Sequence, residues 1–302
     1  MRKEFAAGIE RVAKADDRVV FITGDLGYNA LESVASLLGP RFINAGVAEQ
    51  NMVGVAAGLA YKGYKVFVYS IAPFAVYRCL EQFRNDACLH NLPVFLVGNG
   101  GGYGYGIMGS SHHAIEDLAC LSGLQNVNTY IPAFADEVDT MLDQMMAERR
   151  PAYLRLGAGP NAPEGSTHLG SFHHVVRADD AVGTVVALGP VAANVLKALE
   201  TPELANRFDV FTATNLPLDL PTELAHRWAG KPLLVVEEHV SVGGLAQQLS
   251  VKLLAAGAAP ARFVSVCAQG YPNGRYGDQK YHQQLSGLDP ASLARQLTAF
   301  LN

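Results

Sequence analysis

Short runs of apolar residues without polar alternation recur along this chain, and segments with helical periodicity separate them. The clearest runs are residues 18–23, 65–69 and 93–97. Strands of this kind are typical of a parallel sheet buried on both faces, because the helices that connect parallel strands cover both sides. The alternation resumes beyond residue 180, so the sequence predicts an α/β protein with two parallel-sheet domains.

The interval between the two groups of strands is rich in Gly, Pro, Ser and Asn over residues 157–172, a composition typical of connecting segments. We therefore predict a first domain over residues 1–160, a linker over residues 161–180 and a second domain over residues 181–302. With 302 residues, of which 49% are hydrophobic, the chain is long enough to bury two cores.

Charge and hydropathy exclude several classes of function. The net charge is −5 and no cluster of Lys and Arg occurs, so we expect no nucleic-acid partner. No run approaches the ~18 apolar residues of a membrane span, so we expect no membrane partner either. The N-terminus enters an amphipathic helix and lacks the apolar core of a signal peptide, which predicts a cytoplasmic protein.

Cysteines and histidines do not form a recognisable ligand pattern. The cysteines are far apart and include no C-x-x-C pair; they are Cys79, Cys88, Cys120 and Cys267. We therefore expect free thiols. Adjacent histidines occur at residues 112–113 and 173–174, and neighbours in a helix or strand point to different sides. The sequence thus predicts no metal site in this chain.

Residues 43–60 combine the end of a strand, a small-residue turn and a helix of mostly Gly, Ala and Val. Glu49 is the only ionisable residue there before Lys62, so the helix is predicted to be buried, and Gly54 and Gly58 on one face would admit another backbone. Burial disfavours a charged carboxylate, so Glu49 is a candidate for a neutral acid that donates a hydrogen bond. The alternative is an acid that only complements the positive end of its helix.

A glycine-rich loop follows the third of these strands. Seven of the twelve residues from 98 to 109 are glycine, and the loop ends in Ser110-Ser111-His112-His113. It lies at the carboxyl end of a predicted parallel strand, where α/β sheets bind ligands. A flexible connector is the alternative, but the length and aromatic content favour a functional loop. It is not a phosphate-binding P-loop, because the Gly-Lys-Ser/Thr sequence is missing.

These segments together resemble the transketolase family of thiamine-diphosphate enzymes. The likeness rests on Asp25 after the first strand, the Asn-Ala-Gly-Val-Ala-Glu-Gln segment at 44–50, and the Gly-Ser-Ser-His-His end of the loop with residues 114–119. It extends to residues 235–245 and covers the pyrimidine-binding and C-terminal domains of the family. The family's signature for binding the diphosphate and magnesium, Gly-Asp-Gly followed by Asn-Asn, is missing.

The resemblance therefore implies the small subunit of a split transketolase. Thiamine diphosphate would bind between this chain and a large subunit, which would hold Mg²⁺ and the diphosphate. We expect a homodimer of this chain within an α2β2 heterotetramer and no activity from the chain alone. In the family, a carboxyl group donates a proton to the aminopyrimidine ring, and this role falls on Glu49. Tyr69 matches an aromatic residue that stacks on that ring better than Phe67 or Phe74 does, and Asp25 is a further cofactor contact.

The resemblance also assigns residues to the substrate. His112 matches a histidine that contacts substrate hydroxyls and moves protons. Met108 replaces an acidic residue that reads a donor-sugar hydroxyl. Arg2 matches an arginine near a substrate phosphate, and Arg155 could partly substitute for an expected arginine that is Ala158 here.

Several functions are compatible with this set of residues. The first is transfer of a two-carbon ketol unit from a ketose donor to an aldehyde-type acceptor, both small molecules. The second is an acyloin-forming synthase or the beta-type subunit of a 2-oxo-acid dehydrogenase. The third is a non-catalytic regulatory subunit of the same fold. Retention of both Glu49 and His112 favours an enzyme.

Overall fold

The computed structural model describes residues 1–271 and 273–301. The chain forms two mainly parallel β-sheets. The predicted α/β class is confirmed. The strands are β1 (Val19–Thr23), β2 (Phe42–Asn44), β3 (Lys65–Ile71), β4 (Val94–Asn99), β5 (Asn128–Tyr130), β6 (Ala152–Leu156), β7 (Thr167–Leu169), β8 (Phe172–Val176), β9 (Gly183–Leu188), β10 (Phe208–Ala213), β11 (Asn215–Leu216), β12 (Pro232–Glu237) and β13 (Arg262–Cys267).

The helices lie on both faces of the sheets, as parallel connections require. They are α1 (Arg2–Ala15), α2 (Glu32–Leu38), α3 (Glu49–Tyr61), α4 (Ala72–Val76), α5 (Leu80–Gln82), α6 (Asp117–Ser122), α7 (Glu137–Glu148), α8 (Ala192–Ala198), α9 (Thr222–Trp228), α10 (Leu245–Ala255), α11 (Gln279–Leu285) and α12 (Pro290–Leu301). None of the helices that the structure describes is both long enough and apolar enough to cross a membrane.

The first sheet has seven strands in the order β11-β5-β6-β4-β3-β1-β2. Every residue of β1, β4 and β6 is buried, which explains why these strands lack polar alternation. Successive residues of a strand point to opposite faces. In β3, Tyr69 packs in the core under α1, whereas Ser70 faces the start of α3. Ser70, but not Tyr69, can therefore contact residues at the start of α3.

The second sheet has six strands in the order β13-β12-β9-β10-β8-β7. Strands β7 and β8 form an antiparallel hairpin, so the segment 161–180, predicted as a linker, supplies the edge of this sheet. Strand β11 returns to the first sheet and pairs with β5, Asn215 opposite Tyr130. The second half of the chain therefore supplies an edge strand of the first sheet.

A buried carboxylate connects β12 to α10. Glu237 is the last residue of β12 and is fully buried. Its Oε2 accepts a hydrogen bond from the N–H of Leu245 at 2.7 Å, and its Oε1 accepts one from Ala246 at 3.0 Å. Burial raises the pKa of Glu237 to about 7, although the two backbone N–H groups oppose the shift.

The helix predicted to be fully buried, α3, is buried on one side only. Met52, Val53, Ala56, Ala57 and Ala60 pack on the sheet. The other side faces solvent, and a Cβ atom placed on Gly54 or Gly58 would have no neighbour within 4 Å. We call this side the open face of α3; it comprises Val47, Gln50, Asn51, Gly54, Val55, Gly58 and Tyr61. The expectation of full burial was wrong because nothing in the described part of this chain covers that side.

Candidate active site

Glu49 is the first residue of α3, at the edge where β1, β2 and β3 end. Its side chain is only 3% exposed. The hydroxyl of Ser70 donates to Oε1 at 3.0 Å, and the guanidinium Nη1 of Arg78 donates to Oε2 at 3.0 Å. Both contacts are polar. The surroundings of Glu49 are therefore not purely apolar, contrary to the expectation from its helix.

Arg78 connects Glu49 to an aromatic side chain. Its guanidinium carbon lies 3.7 Å from the centroid of the Phe74 ring, a cation–π contact. Phe74 is half-buried, and its ring meets the ring of His112 edge-on at 5.0 Å. A cavity of about 480 Å³ opens beside Glu49 and is lined also by Val47, Ala48, Gln50, Asn51 and Arg78. The structure thus brings Glu49 and His112 to one edge through Phe74, which the resemblance ranked below Tyr69, and Arg78, which sequence reasoning missed.

Tyr69 does not lie in this group. It is 2% exposed, and its ring packs against Phe5 at 5.9 Å and Phe21 at 6.0 Å between ring centroids. Burial raises the pKa of Tyr69 to about 12, against the opposing effect of the Arg2 guanidinium. Because Tyr69 points to the face of the sheet opposite Ser70 and Glu49, it is placed in the core under α1. Phe74 is the aromatic side chain that faces the Glu49 edge.

Asp25 holds the turn that leads to Glu49. It is exposed, with a positive φ of 58°, and its carboxylate accepts hydrogen bonds from the Asn44 amide and the Tyr28 hydroxyl, both at 3.0 Å. These bonds, the one from Asn44 first, lower the pKa of Asp25. The amide oxygen of Asn44 in turn accepts the N–H of Gly46 at 3.0 Å. Asp25 therefore lies at the predicted edge, where it positions the strand-to-helix turn.

The end of the glycine loop carries His112 and Met108 on short 3-10 turns. His112 is half-buried, and its Nδ1 lies 3.1 Å from the hydroxyl of Ser111. Met108 is 52% exposed and its neighbour Ile107 is 71% exposed. The loop therefore directs His112 towards Phe74 and leaves Met108 open to solvent or to a partner.

The glycines of this loop are required largely by the protein's own packing. A Cβ atom on Gly102 would collide with the carboxyl of Glu238, and one on Gly109 would collide with the ring of Tyr276. The N–H of Tyr103 donates to the Glu238 carboxylate at 2.6 Å. The loop is thus fixed against the second half of the chain and is not a flexible connector.

Arg155 was expected to bind substrate, but its guanidinium is occupied. It is 3% exposed; its Nε donates to the Asp117 carboxylate at 2.8 Å, and its Nη2 donates to the carbonyls of Ala114 at 2.6 Å and Glu238 at 3.1 Å. The hydroxyl of Tyr153 also donates to Asp117 at 2.8 Å. These bonds connect β6 to the end of the glycine loop and to β12, so Arg155 has a structural role.

Arg2 is exposed at the start of α1 and lines a second cavity of about 480 Å³. This cavity lies between the ends of β4 and β6 and the second half of the chain. Lys3 and Tyr105 line it too, as do Asn99 and Gly100 at the start of the glycine loop. Arg155, Glu4 and Glu238 line this cavity as well, so cationic and anionic side chains both border it.

Comparisons with known proteins agree with this geometry. Residues 1–159 match the family described as transketolase, pyrimidine binding domain. The chain is 29% identical to one of the subunits of the apulose-4-phosphate transketolase of Phocaeicola vulgatus, over 99% of this chain and 97% of that protein. It is 32% identical to 1-deoxy-D-xylulose-5-phosphate synthase 2 of Geobacter sulfurreducens, over 97% of this chain and 48% of that protein.

A solved structure described as a split gene transketolase, inactive beta4 tetramer, shares the fold along the whole chain. It superposes with a TM-score of 0.82 at 28% identity, covering 99% of this chain and 97% of that chain. The family match alone spans 159 of the 302 residues, more than half. The chain therefore belongs to the transketolase family of thiamine-diphosphate-dependent enzymes.

Proposed function

We propose that this chain is the small subunit of a transketolase-like enzyme that moves a two-carbon ketol unit from a ketose donor to an aldehyde-type acceptor. The observation that carries the proposal is the placement of Glu49: a buried carboxyl at the carboxyl edge of a parallel sheet, beside an open cavity and in line with Phe74 and His112. An α2β2 assembly with two copies of this chain and a cytoplasmic location belong to the same proposal.

The residues fit one half of a thiamine diphosphate site. Besides Glu49, the residues that line its cavity are Val47, Ala48, Gln50, Asn51 and Arg78, and none of them carries a carboxylate. Mg²⁺ prefers carboxylate and other hard oxygen ligands in octahedral geometry. This cavity can therefore take an aminopyrimidine ring, whereas we assign the diphosphate and Mg²⁺ to a large partner subunit that closes the open side.

Each side chain at this edge has a distinct task in the proposal. Thiamine diphosphate supplies the carbon nucleophile when it is bound. Glu49 holds a proton at its carboxyl and hydrogen-bonds the ring, which requires Arg78 to move away. Phe74 offers the flat apolar face on which the ring stacks. His112 exchanges a proton with a substrate hydroxyl.

The second cavity is proposed to hold the far end of the donor. Arg2 and Lys3 line it and suit a phosphate or another anionic group. Met108 stands where the family pattern has an acidic residue, so hydroxyl stereochemistry at that point of the donor is expected to matter less. Arg155 lines the same cavity, but its hydrogen bonds go to the protein's own groups, so we propose Arg2 and Lys3 before Arg155 for this task.

Reconstitution tests the proposal. The chain is co-expressed with a candidate large subunit, and the purified complex is assayed with a ketose phosphate or hydroxypyruvate as donor and an aldose as acceptor. We expect turnover by the complex with thiamine diphosphate and Mg²⁺, and none by the chain alone. Turnover by the isolated chain, or a complex that binds thiamine diphosphate and remains inactive with every donor, would contradict it.

An acyloin-forming synthase is the second candidate, favoured by the 32% identity to 1-deoxy-D-xylulose-5-phosphate synthase 2 over 97% of this chain. Such an enzyme, like a 2-oxo-acid dehydrogenase, uses a 2-oxo acid as donor. Release of CO₂ from pyruvate by the same complex, without use of ketose phosphates, would favour this candidate over ketol transfer.

A further inference from the structure

We propose that Glu137, His168 and His173 form a binding site for a divalent transition metal such as Zn²⁺, which fastens the β7–β8 hairpin to the start of α7. None of the three residues lines the cavity beside Glu49 or the cavity beside Arg2. The site is thus independent of the proposed transferase chemistry, and its failure would leave that proposal untouched.

The hairpin brings the two histidines together. His168 in β7 pairs directly with His173 in β8, and cross-strand partners have side chains on the same face. Their rings are stacked, with centroids 4.0 Å apart and an angle of 20° between the planes. His174, the next residue, points to the other face and stacks on Phe211 at 4.0 Å. Residues 173–174 do diverge, as the sequence indicated; the second histidine of the site comes from the opposite strand.

A carboxylate is held in place beside these rings. Glu137 is the first residue of α7, and its Oε1 lies 2.7 Å from Nδ1 of His173. Its Oε2 accepts hydrogen bonds from the N–H groups of Ala133 at 2.8 Å and Phe134 at 3.1 Å. One oxygen is therefore fixed by the backbone while the other faces the histidine, the kind of outer support that orients metal ligands.

The three side chains offer donor atoms of the kinds that a transition metal binds. One ligand atom from each lies within 4.8 Å of the others. Two imidazoles and one carboxylate are a common donor set for Zn²⁺, with bonds of ~2.0–2.2 Å and a fourth position for water. Side-chain rotation that opens the Glu137–His173 hydrogen bond and unstacks the His168 ring would bring the donors to these distances. The metal would take the place of the proton between Glu137 and His173, and this proton would pass to solvent.

The alternative is a hydrogen-bonded cluster that needs no ion. It accounts for Glu137 and His173, which satisfy each other, but it leaves His168 with a stacking contact only. Within the described residues the His168 ring has no hydrogen-bond partner, and the residue is exposed. A ligand that is open to solvent and faces two preoriented donors gives a metal a route of entry.

Calorimetric titration tests the site on the tag-free, full-length chain after treatment with a chelator. With ZnCl₂ we expect saturable binding of roughly one ion per chain and a rise in melting temperature that the chelator reverses. Replacing Zn²⁺ by Co²⁺ should give the visible spectrum of a nitrogen and oxygen site. A thiolate charge-transfer band would assign the metal to the cysteines and overturn the proposal.

Two variants of His168 distinguish the loss of a metal ligand from the loss of ring stacking on His173. His168→Ala removes a ligand at an exposed position, and His168→Phe removes the ligand but keeps a ring to stack on His173. Both should weaken Zn²⁺ binding at least ~10-fold, whereas His90→Ala, at an exposed histidine elsewhere, should bind like the wild-type chain. No saturable binding by the wild type, or equal binding by the His168 variants, would refute the site.

Discussion

Arg78 donates a hydrogen bond to Glu49, with 3.0 Å between the guanidinium Nη1 and the carboxyl Oε2. The same guanidinium covers the ring of Phe74 at 3.7 Å. Arg78 thus occupies both the carboxyl and the aromatic face that the proposed cofactor ring would use. Glu49 is 3% exposed but Arg78 is 44% exposed, so the guanidinium can move into solvent without crossing the core. We infer that Arg78 swings into solvent when the ring binds.

Replacing Glu49 tests its role as the proton-holding group. Glu49→Gln keeps the size of the side chain but cannot exchange a proton, so we expect ketol transfer by the complex to fall by about 10²–10⁴-fold. The measurement is hydrogen–deuterium exchange at the reactive carbon of thiamine diphosphate. Glu223→Gln, an exposed carboxylate on α9, is the control and should exchange at the wild-type rate. Unchanged exchange in Glu49→Gln would remove this residue from catalysis.

Substitutions of Phe74 and Tyr69 should differ in their effect on the affinity for thiamine diphosphate. Phe74→Ala removes the aromatic face at the Glu49 edge and should weaken thiamine diphosphate binding about 10-fold, since a ring pair contributes ~0.5–1.5 kcal/mol beyond its buried area. Tyr69→Phe keeps the stack with Phe5 and Phe21 and should leave the affinity unchanged. Cofactor affinity is measured by titrating the reconstituted complex. The reverse result would restore Tyr69 as the stacking residue.

Variants of Arg155 and Arg2 should affect different quantities, Arg155 the free energy of unfolding and Arg2 the KM for the donor. Arg155→Met leaves the buried carboxylate of Asp117 unpaired, which typically costs about 3–5 kcal/mol. Arg2→Ala changes an exposed side chain, so the free energy of unfolding should change by no more than ~0.5 kcal/mol, while the KM for a phosphorylated donor rises. Denaturant unfolding and steady-state kinetics are the two measurements. A stable Arg155→Met protein with a raised KM would return Arg155 to the substrate site.

Glu237 should make stability depend on pH in an unusual direction. Its pKa is raised from 4.5 to about 7 in the folded chain, so the folded state binds a proton that the unfolded state releases. Stability from this group is fully present below pH 4.5 and is lost as the pH rises through about 7. Relative to Glu237→Gln, which cannot titrate, the wild-type free energy of unfolding should decline by up to about 3 kcal/mol over that range. A difference that does not vary with pH would contradict the shifted pKa.

Several strands were predictable because a strand that is buried on both faces appears in the sequence as a continuous run of apolar residues. The run at 93–97 corresponds to β4 (Val94–Asn99), and the run at 65–69 corresponds to β3 (Lys65–Ile71). Strand β11 was missed because it has two residues, too few for any periodicity. Between β3 and β4 the chain forms α4, α5 and a π-helical stretch, Phe83–Cys88. Phe74 lies in α4, and Arg78 lies in the turn between α4 and α5.

Which residues meet at the site was harder to predict than which residues are present. Glu49 and His112 were identified from motifs, and both lie at the predicted edge. The role of Tyr69 stays a prediction, but its side chain packs under α1, and its neighbour Ser70 is the residue that faces Glu49. The burial of Arg155 depends on Asp117, 38 residues away in sequence, and on the carbonyl of Glu238. These hydrogen bonds form only when the two sheets pack together, so no local sequence pattern predicts them.

The open face of α3 would leave apolar surface exposed on any copy of this chain that lacks its partner subunit. Val47, in the turn before α3, is 71% exposed, and Val55 and Tyr61 on the helix itself are 40% and 75% exposed. Copies synthesised in excess of the proposed large subunit would present that surface to chaperones, proteases and one another. Matched synthesis of the two polypeptides would then be a physical requirement, and overproduction of this chain alone should shorten its lifetime.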